Sequence, residues 1–243
     1  MTSEAELGGG EAMKNIVFVP GLLCTEALYA PQIEALPQGW HAQVADHRQD
    51  DSMEAIARRI LDGAPDQFVL VGLSMGGYIS YEIIRQAPKR VRGLVLIDTS
   101  ARADRPDQTA VREGTIELAH SEGIAAVINE FLKVFIAAGR QDDKELTSTV
   151  RAMAKATGVA AFERQQRAIM GRSDAFQLLA TLHCPTLVLC GDEDVLTPPK
   201  LAEEIDSAVP GAELEIIEGS GHLATLERPQ AVSRALNRFL KRF

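Results

Sequence analysis

Several stretches of the chain are apolar almost without interruption and rich in β-branched residues: Asn15 to Val19, Gln67 to Gly72, Val91 to Ile97, Thr186 to Cys190 and Glu213 to Ile217. A weaker run covers Gln43 to Ala45. Continuous rather than alternating hydrophobicity predicts strands buried on both faces, as in a parallel sheet. Stripes at helical spacing lie between these runs. Ile79, Ile83 and Ala87 recur four apart, and Pro88 stops that helix. Leu201, Ile205, Ala208 and Val209 form a second stripe, opened by Pro198-Pro199. Ala231, Val232, Ala235, Leu236, Phe239 and Leu240 form a third. Strand–helix alternation of this kind predicts a doubly wound α/β sheet.

The alternation lapses from Arg102 to Thr181. No strand pattern occurs there, and Ile124, Val127, Ile128, Phe131, Leu132 and Phe135 share one helix face. Further helices are expected over Asp142 to Lys155, Val159 to Met170 and Asp174 to Leu182. A helical insertion between two parallel strands predicts a cap over the sheet's C-terminal edge, where open α/β sheets bind ligands. The expected organisation is therefore a disordered extension at 1–13, an α/β core formed by 14–101 and 182–243, and a helical cap at 102–181.

Gly72-Leu73-Ser74-Met75-Gly76-Gly77 follows a predicted strand directly and opens a predicted helix. That context turns a common pentapeptide into a nucleophile elbow. A nucleophile on so tight a turn takes a strained backbone, and side chains two positions either side would collide. The helix N-terminus also directs free N–H groups and a partial positive charge at the reacting oxygen.

A serine hydroxyl needs a base to act at neutral pH. His222, in Gly219-Ser220-Gly221-His222, follows the last strand and is flanked by small residues. An acid that orients the imidazole is expected just past the strand Thr186 to Cys190, in Gly191-Asp192-Glu193-Asp194. Asp194 is favoured, with Asp192 and Glu193 as neighbours in competition and Asp98, at the end of another strand, as a rival. The chain order Ser, Asp, His is the one that strand–turn–helix elbows use. An oxyanion needs donors, and the backbone N–H groups of Met75 and Leu22 are the candidates. Gly21 lets the Pro20-Gly21-Leu22-Leu23 backbone come close. Phe131, Phe135 and Met170 are candidate linings of an apolar acyl pocket. Asp46-His47-Arg48, Arg102 and Arg105 are candidates to meet a charged substrate, with solvated loop charges as the default reading, and Cys24 reads as structural.

Composition narrows the function classes further. The 243 residues carry 25 Lys and Arg against 34 Asp and Glu, a net charge of −9 at pH 7. No basic cluster suited to phosphates stands out, which argues against nucleic acid as a partner. No apolar run is long enough to cross a bilayer, and residues 1–11 lack the pattern of a signal peptide. Three scattered cysteines, Cys24, Cys184 and Cys190, form no disulfide framework or metal motif. His183 beside Cys184 reads as packing. A cytoplasmic protein without metal or cofactor, monomeric or homodimeric, is the expectation.

Together, Phe18-Val19-Pro20-Gly21, Gly72 to Gly77, Gly191 to Asp194 with Thr197-Pro198, and Gly221-His222 with Glu227 and Pro229 resemble the α/β-hydrolase superfamily. Within it they are most similar to the esterase and enol-lactonase-like group with a helical cap. The resemblance implies a six-stranded, mostly or wholly parallel sheet. It implies that the fourth residue of the Gly-x-x-Asp loop, Asp194, is the acid, and that Leu22 donates its N–H. It also implies a serine hydrolase that cleaves small to medium carboxylic esters or lactones through an acyl-enzyme. Carbon–carbon or thioester hydrolysis with the same residues, and a slow-hydrolysing ligand sensor, are the alternatives. Pro20 stands where many relatives have His; the N–H donor is unaffected, but any hydrogen bond made by that His is missing.

Overall fold

The computed structural model describes residues 14–243; the extension expected at 1–13 lies outside the described residues. In chain order the elements are β1 (Lys14–Val19), α1 (Ala30–Glu34), β2 (Trp40–Val44), α2 (Met53–Gly63), β3 (Phe68–Leu73), α3 (Met75–Gln86) and β4 (Val91–Ile97). Then come α4 (Pro106–Glu122), α5 (Ile124–Phe135), α6 (Lys144–Met170) and α7 (Phe176–Leu179). The chain ends with β5 (Thr186–Gly191), α8 (Pro199–Ala208), β6 (Glu213–Ile217), α9 (Ala224–Glu227) and α10 (Pro229–Leu240). The strands form one sheet in the order β2-β1-β3-β4-β5-β6. Every pairing is parallel. This is the six-stranded parallel α/β arrangement that the apolar runs and the resemblance predict.

Every residue of β3 and of β5 is buried, so both faces of the central sheet are covered. The helix α3 packs on β3, β1 and β4, and α8 packs on β5 and β6. Phe18, Phe68 and Tyr29 are among the largest side chains wholly inside. The expectation of two-sided burial fails at the margins. The residues of β2 and all of β6 but Ile217 are only half-buried or exposed, because an edge strand has one neighbour and fewer helices to shelter it.

Four helices are not placed individually by the pattern: the one-turn α1 and α9, α2, and α4 within the helical insertion. Helix α2 carries Met53, Ile56, Ala57, Ile60 and Leu61 on its buried side, and the Ser52 hydroxyl accepts the Ala55 N–H at its start. That stripe and cap are legible in the sequence. Helix α4 buries Ala119 alone and has almost no apolar face to detect. The two helices expected at 142–155 and 159–170 run together as α6, broken at Gly158, whose φ of 73° interrupts the helical path. Helices α4, α5 and α6 pack against one another between β4 and β5.

Parallel strands send all their C-terminal ends to one edge. Leu22 follows β1, Ser74 follows β3, Asp98 follows β4, Asp194 follows β5 and His222 follows β6. Five separate stretches of chain therefore deliver their loops to the same rim.

Candidate active site

Ser74 sits between β3 and α3 with φ 53° and ψ −115°, a left-handed conformation that costs a non-glycine residue energy. The crowding expected around it is present. A Cβ on Gly76 would lie 1.9 Å from the Val19 carbonyl oxygen, and one on Gly72 would lie 2.4 Å from the Gly76 carbonyl oxygen. Only hydrogen fits at either position.

The imidazole of His222 bridges Ser74 and Asp194. Its Nε2 is 2.8 Å from Ser74 Oγ, and its Nδ1 is 2.8 Å from Asp194 Oδ2. With the proton on Nδ1, donated to the carboxylate, Nε2 is left to accept from the serine hydroxyl. Asp194 is held by more than the histidine. Its Oδ1 accepts the backbone N–H of Leu196 at 2.8 Å and of Thr197 at 3.0 Å, while the Thr197 hydroxyl donates to Oδ2 at 2.6 Å. The same hydroxyl is 3.2 Å from His222 Nδ1. Thr197, part of the quoted motif but given no role there, is thus a residue of the site.

Burial alone would push Asp194 up and His222 down. Their mutual charge and hydrogen bond win, so the carboxyl is held below its usual range and the imidazole above its own. The rival acids lie elsewhere. Asp192 is exposed and accepts the Ser220 N–H; Glu193 is exposed as well. Asp98 is wholly buried with φ 45°, and its oxygens accept the backbone N–H groups of Gly191 at 2.8 Å and Ala224 at 3.1 Å. Burial, reinforced by the Asp194 charge, raises it well above the usual carboxylate range. Asp98, Cys190 and Asp194 place potential metal ligands within 4.8 Å of one another. Both carboxylates there are already turned toward N–H and O–H donors, an arrangement suited to anions rather than to a shared cation.

The other candidates fall around Ser74. Leu22 and Met75 are buried, and neither backbone N–H is spent on a neighbouring carbonyl among the described residues. The loop that carries Leu22 is braced from an unexpected side. His47, expected as a solvated charge, is buried, and its Nε2–H donates to the Gly21 carbonyl at 3.0 Å. Burial pushes His47 down to about 4, so the ring is neutral. The Gln165 side-chain oxygen accepts the Leu23 N–H at 3.2 Å. A distant histidine thus holds the loop where Pro20 cannot. Spacing gave no means of pairing residues so far apart.

Cys24 is buried, and its thiol is pushed up to about 12, in line with a structural role. Phe135 stacks on the His222 ring, with centroids 5.7 Å apart. The Phe135 carbonyl accepts the His222 N–H at 3.1 Å. Glu227 accepts the N–H groups of Ala137 at 2.9 Å and Leu223 at 3.3 Å.

A cavity of about 220 Å³ opens over Ser74 and His222. Phe131 and Phe135 line it, as expected of a pocket wall. Met170 does not; its neighbour Ile169 does, because successive helix positions point about 100° apart. Arg102, Arg105, Arg112 and Arg172 complete the lining on the polar side.

An all-parallel sheet with a serine at a strand–helix elbow, answered by an acid and a histidine from later strands, defines a class of hydrolytic folds. Residues 16–235 match the alpha/beta hydrolase family, and the chain belongs to that family. It is 26% identical to RutD of Rhizobium rhizogenes, a protein named as a carbamate hydrolase, over 94% of this chain and 93% of the other. A thermophilic esterase from Thermogutta terrifontis superposes with a TM-score of 0.85 at 27% identity, covering 94% of this chain and 90% of that one. The enol-lactonase of Burkholderia xenovorans LB400 has the same fold, with a TM-score of 0.86 at 22% identity over 98% and 94% of the two chains. Among the described residues, no helix is long and apolar enough to cross a membrane.

Proposed function

We propose that this protein is a serine hydrolase that cleaves small carboxylic esters or lactones through an acyl-enzyme, with Ser74, His222 and Asp194 as its catalytic residues. The observation that carries this reading is the imidazole held at 2.8 Å from both the hydroxyl and the carboxylate. The relation to a solved esterase points to the same bond.

In this reading Ser74 Oγ attacks the carbonyl carbon while its proton passes to His222 Nε2. The tetrahedral oxyanion takes the unspent N–H groups of Leu22 and Met75; losing one such donor costs about 10²–10³ in rate. Asp194 stabilises the imidazolium without taking its proton. The imidazolium then gives its proton to the departing alkoxide, leaving Ser74 acylated. Water enters, His222 takes one of its protons, and the oxygen attacks the acyl carbon. Collapse of the second intermediate returns the proton to Ser74 and frees the acid. The cavity is smaller than the roughly 300–1,000 Å³ of drug-sized sites, which favours small substrates. Helices α4 to α7 act as the cap that closes it. Three free thiols suit a reducing compartment, and we assign the cytoplasm.

A panel of 4-nitrophenyl esters, lactones and carbamate esters tests this reading. Multiple turnover that disappears in Ser74→Ala, with mass spectrometry locating a phosphonate adduct on Ser74, is the expected result. An adduct elsewhere, or full activity in Ser74→Ala, would overturn it. A single burst without turnover would favour a ligand sensor.

A further inference from the structure

The cavity over Ser74 is lined by four arginines and no aspartate or glutamate. That is unexpected in a chain with nine more acidic than basic residues, so composition does not explain it. Two of the four are neutralised outside the cavity. Arg102 pairs with Glu204 at 2.6 Å and Arg105 with Asp107 at 2.9 Å, in exposed one-to-one pairs. The other two differ. Arg112 and Arg172 share one carboxylate, that of Asp104. Asp104 is 1% exposed at its side chain, Arg172 6% and Arg112 20%. Two guanidinium groups against one carboxylate leave a net positive charge in a largely dehydrated place, an arrangement that is costly unless an anion answers it.

The guanidinium of Arg172 is fixed for that task. Its Nε donates to the Arg102 carbonyl at 3.0 Å and its Nη1 to the Ile169 carbonyl at 2.9 Å, besides the bond to Asp104. Its carbon stands 4.3 Å over the ring of Tyr78, four residues past Ser74 on α3. Nη2 donates to nothing among the described residues. A rigid, pre-paid donor near the nucleophile, in excess of its counter-charge, is a recognition element.

Resting on the hydrolase reading, the geometry points to a substrate that carries a second, ionised carboxylate, bound by Arg172 with Arg112. The single uncompensated charge matches one carboxylate better than a doubly charged phosphate. A planar guanidinium fork suits its two oxygens.

The test compares mono-4-nitrophenyl glutarate with its methyl ester, which differ only in the ionised group. The wild-type protein is expected to favour the acid by about tenfold or more in kcat/KM, with the preference shrinking as salt rises. The ratio between the two esters cancels any general loss of activity. It should fall about tenfold in Arg172→Gln, and it should rise in Asp104→Asn, where both guanidinium groups lose their partner. Where Arg172→Gln does not fold, Arg112→Gln carries the comparison. Monomethyl and dimethyl glutarate are also titrated calorimetrically into the Ser74→Ala protein, with and without Arg172→Gln. Tighter binding of monomethyl glutarate that is lost with Arg172 supports the subsite even if neither nitrophenyl ester is cleaved, in which case only the hydrolase reading fails. A wild-type ratio near one, a ratio untouched by both arginine variants, or equal binding of the two methyl esters overturns the proposal.

Discussion

Replacing Asp194 by Asn separates the acid's role from its packing. The carboxylate meets four donors: two backbone N–H groups on Oδ1, and the Thr197 hydroxyl and His222 Nδ1 on Oδ2. An amide of the same shape must turn its NH₂ toward one pair. The backbone N–H groups cannot reverse, whereas the Thr197 hydroxyl can rotate to accept. The NH₂ therefore faces the imidazole, and His222 can satisfy it only by accepting at Nδ1. The ring proton then moves to Nε2, where it meets the Ser74 hydroxyl instead of receiving its proton. This tautomer cannot act as base, and the expected loss is about 10⁴ in kcat, or ~5 kcal/mol of barrier. KM should change little, because the exchanged atoms do not line the cavity. Folding should weaken by only about 1–3 kcal/mol, the cost of exchanging charge-assisted bonds for neutral ones. Stopped assays on a 4-nitrophenyl ester, with circular dichroism and urea unfolding on the same samples, read all three quantities. A folded Asp194→Asn protein that keeps more than about a tenth of its kcat would refute the reasoning. Asp98→Asn serves as the comparison: Asp98 bonds backbone rather than imidazole, so stability should suffer more than rate.

Three further outcomes are expected. His222 must be neutral to accept a proton and is raised above its ordinary 6.5, so kcat/KM should climb with pH along a limb centred above 6.5; a limb at or below that value in a pH–rate profile contradicts the assignment. Gly76→Ala forces a methyl against the backbone of Val19 and Pro20, and urea unfolding should show more than about 3 kcal/mol of lost stability, together with lost activity as the Leu22 loop is displaced. Cys24 and Cys190 are buried with thiols pushed far above their usual range, so iodoacetamide at pH 8 should leave both unlabelled in the native protein by peptide mass spectrometry and label them after denaturation.

The central strands were legible because burial on both faces leaves an unbroken apolar run, as in β3 and β5. Helix α4 was not, because it meets its neighbours through polar contacts such as Arg112 with Gln166 rather than through a stripe. The candidate site was legible where a tight backbone turn constrains the sequence, as at Gly72 to Gly76. Residues that act by reaching across the fold left no such mark. His47 beneath Gly21, Gln165 beside Leu23 and Asp104 between two arginines are recognisable only once distant chain segments are brought together. The choice between Asp98 and Asp194 was open for a related reason. Both end a strand at the same rim, and only the hydrogen bonds tell which one meets the imidazole.

The turn that ends α5 is stitched to the histidine loop at the Phe135 carbonyl and, through the Glu227 carboxylate, at Ala137. Helix α6 is stitched to the opposite loop through Gln165. The inserted helices are therefore not an interchangeable module. Grafting in helices whose turn after α5 does not bring a carbonyl and an N–H to these two places, or that lack Gln165, would shift both the His222 loop and the loop that carries Leu22. Helix α4, which shares none of these stitches, is the part of the insertion that variation can reshape while Ser74, His222 and Asp194 stay in place.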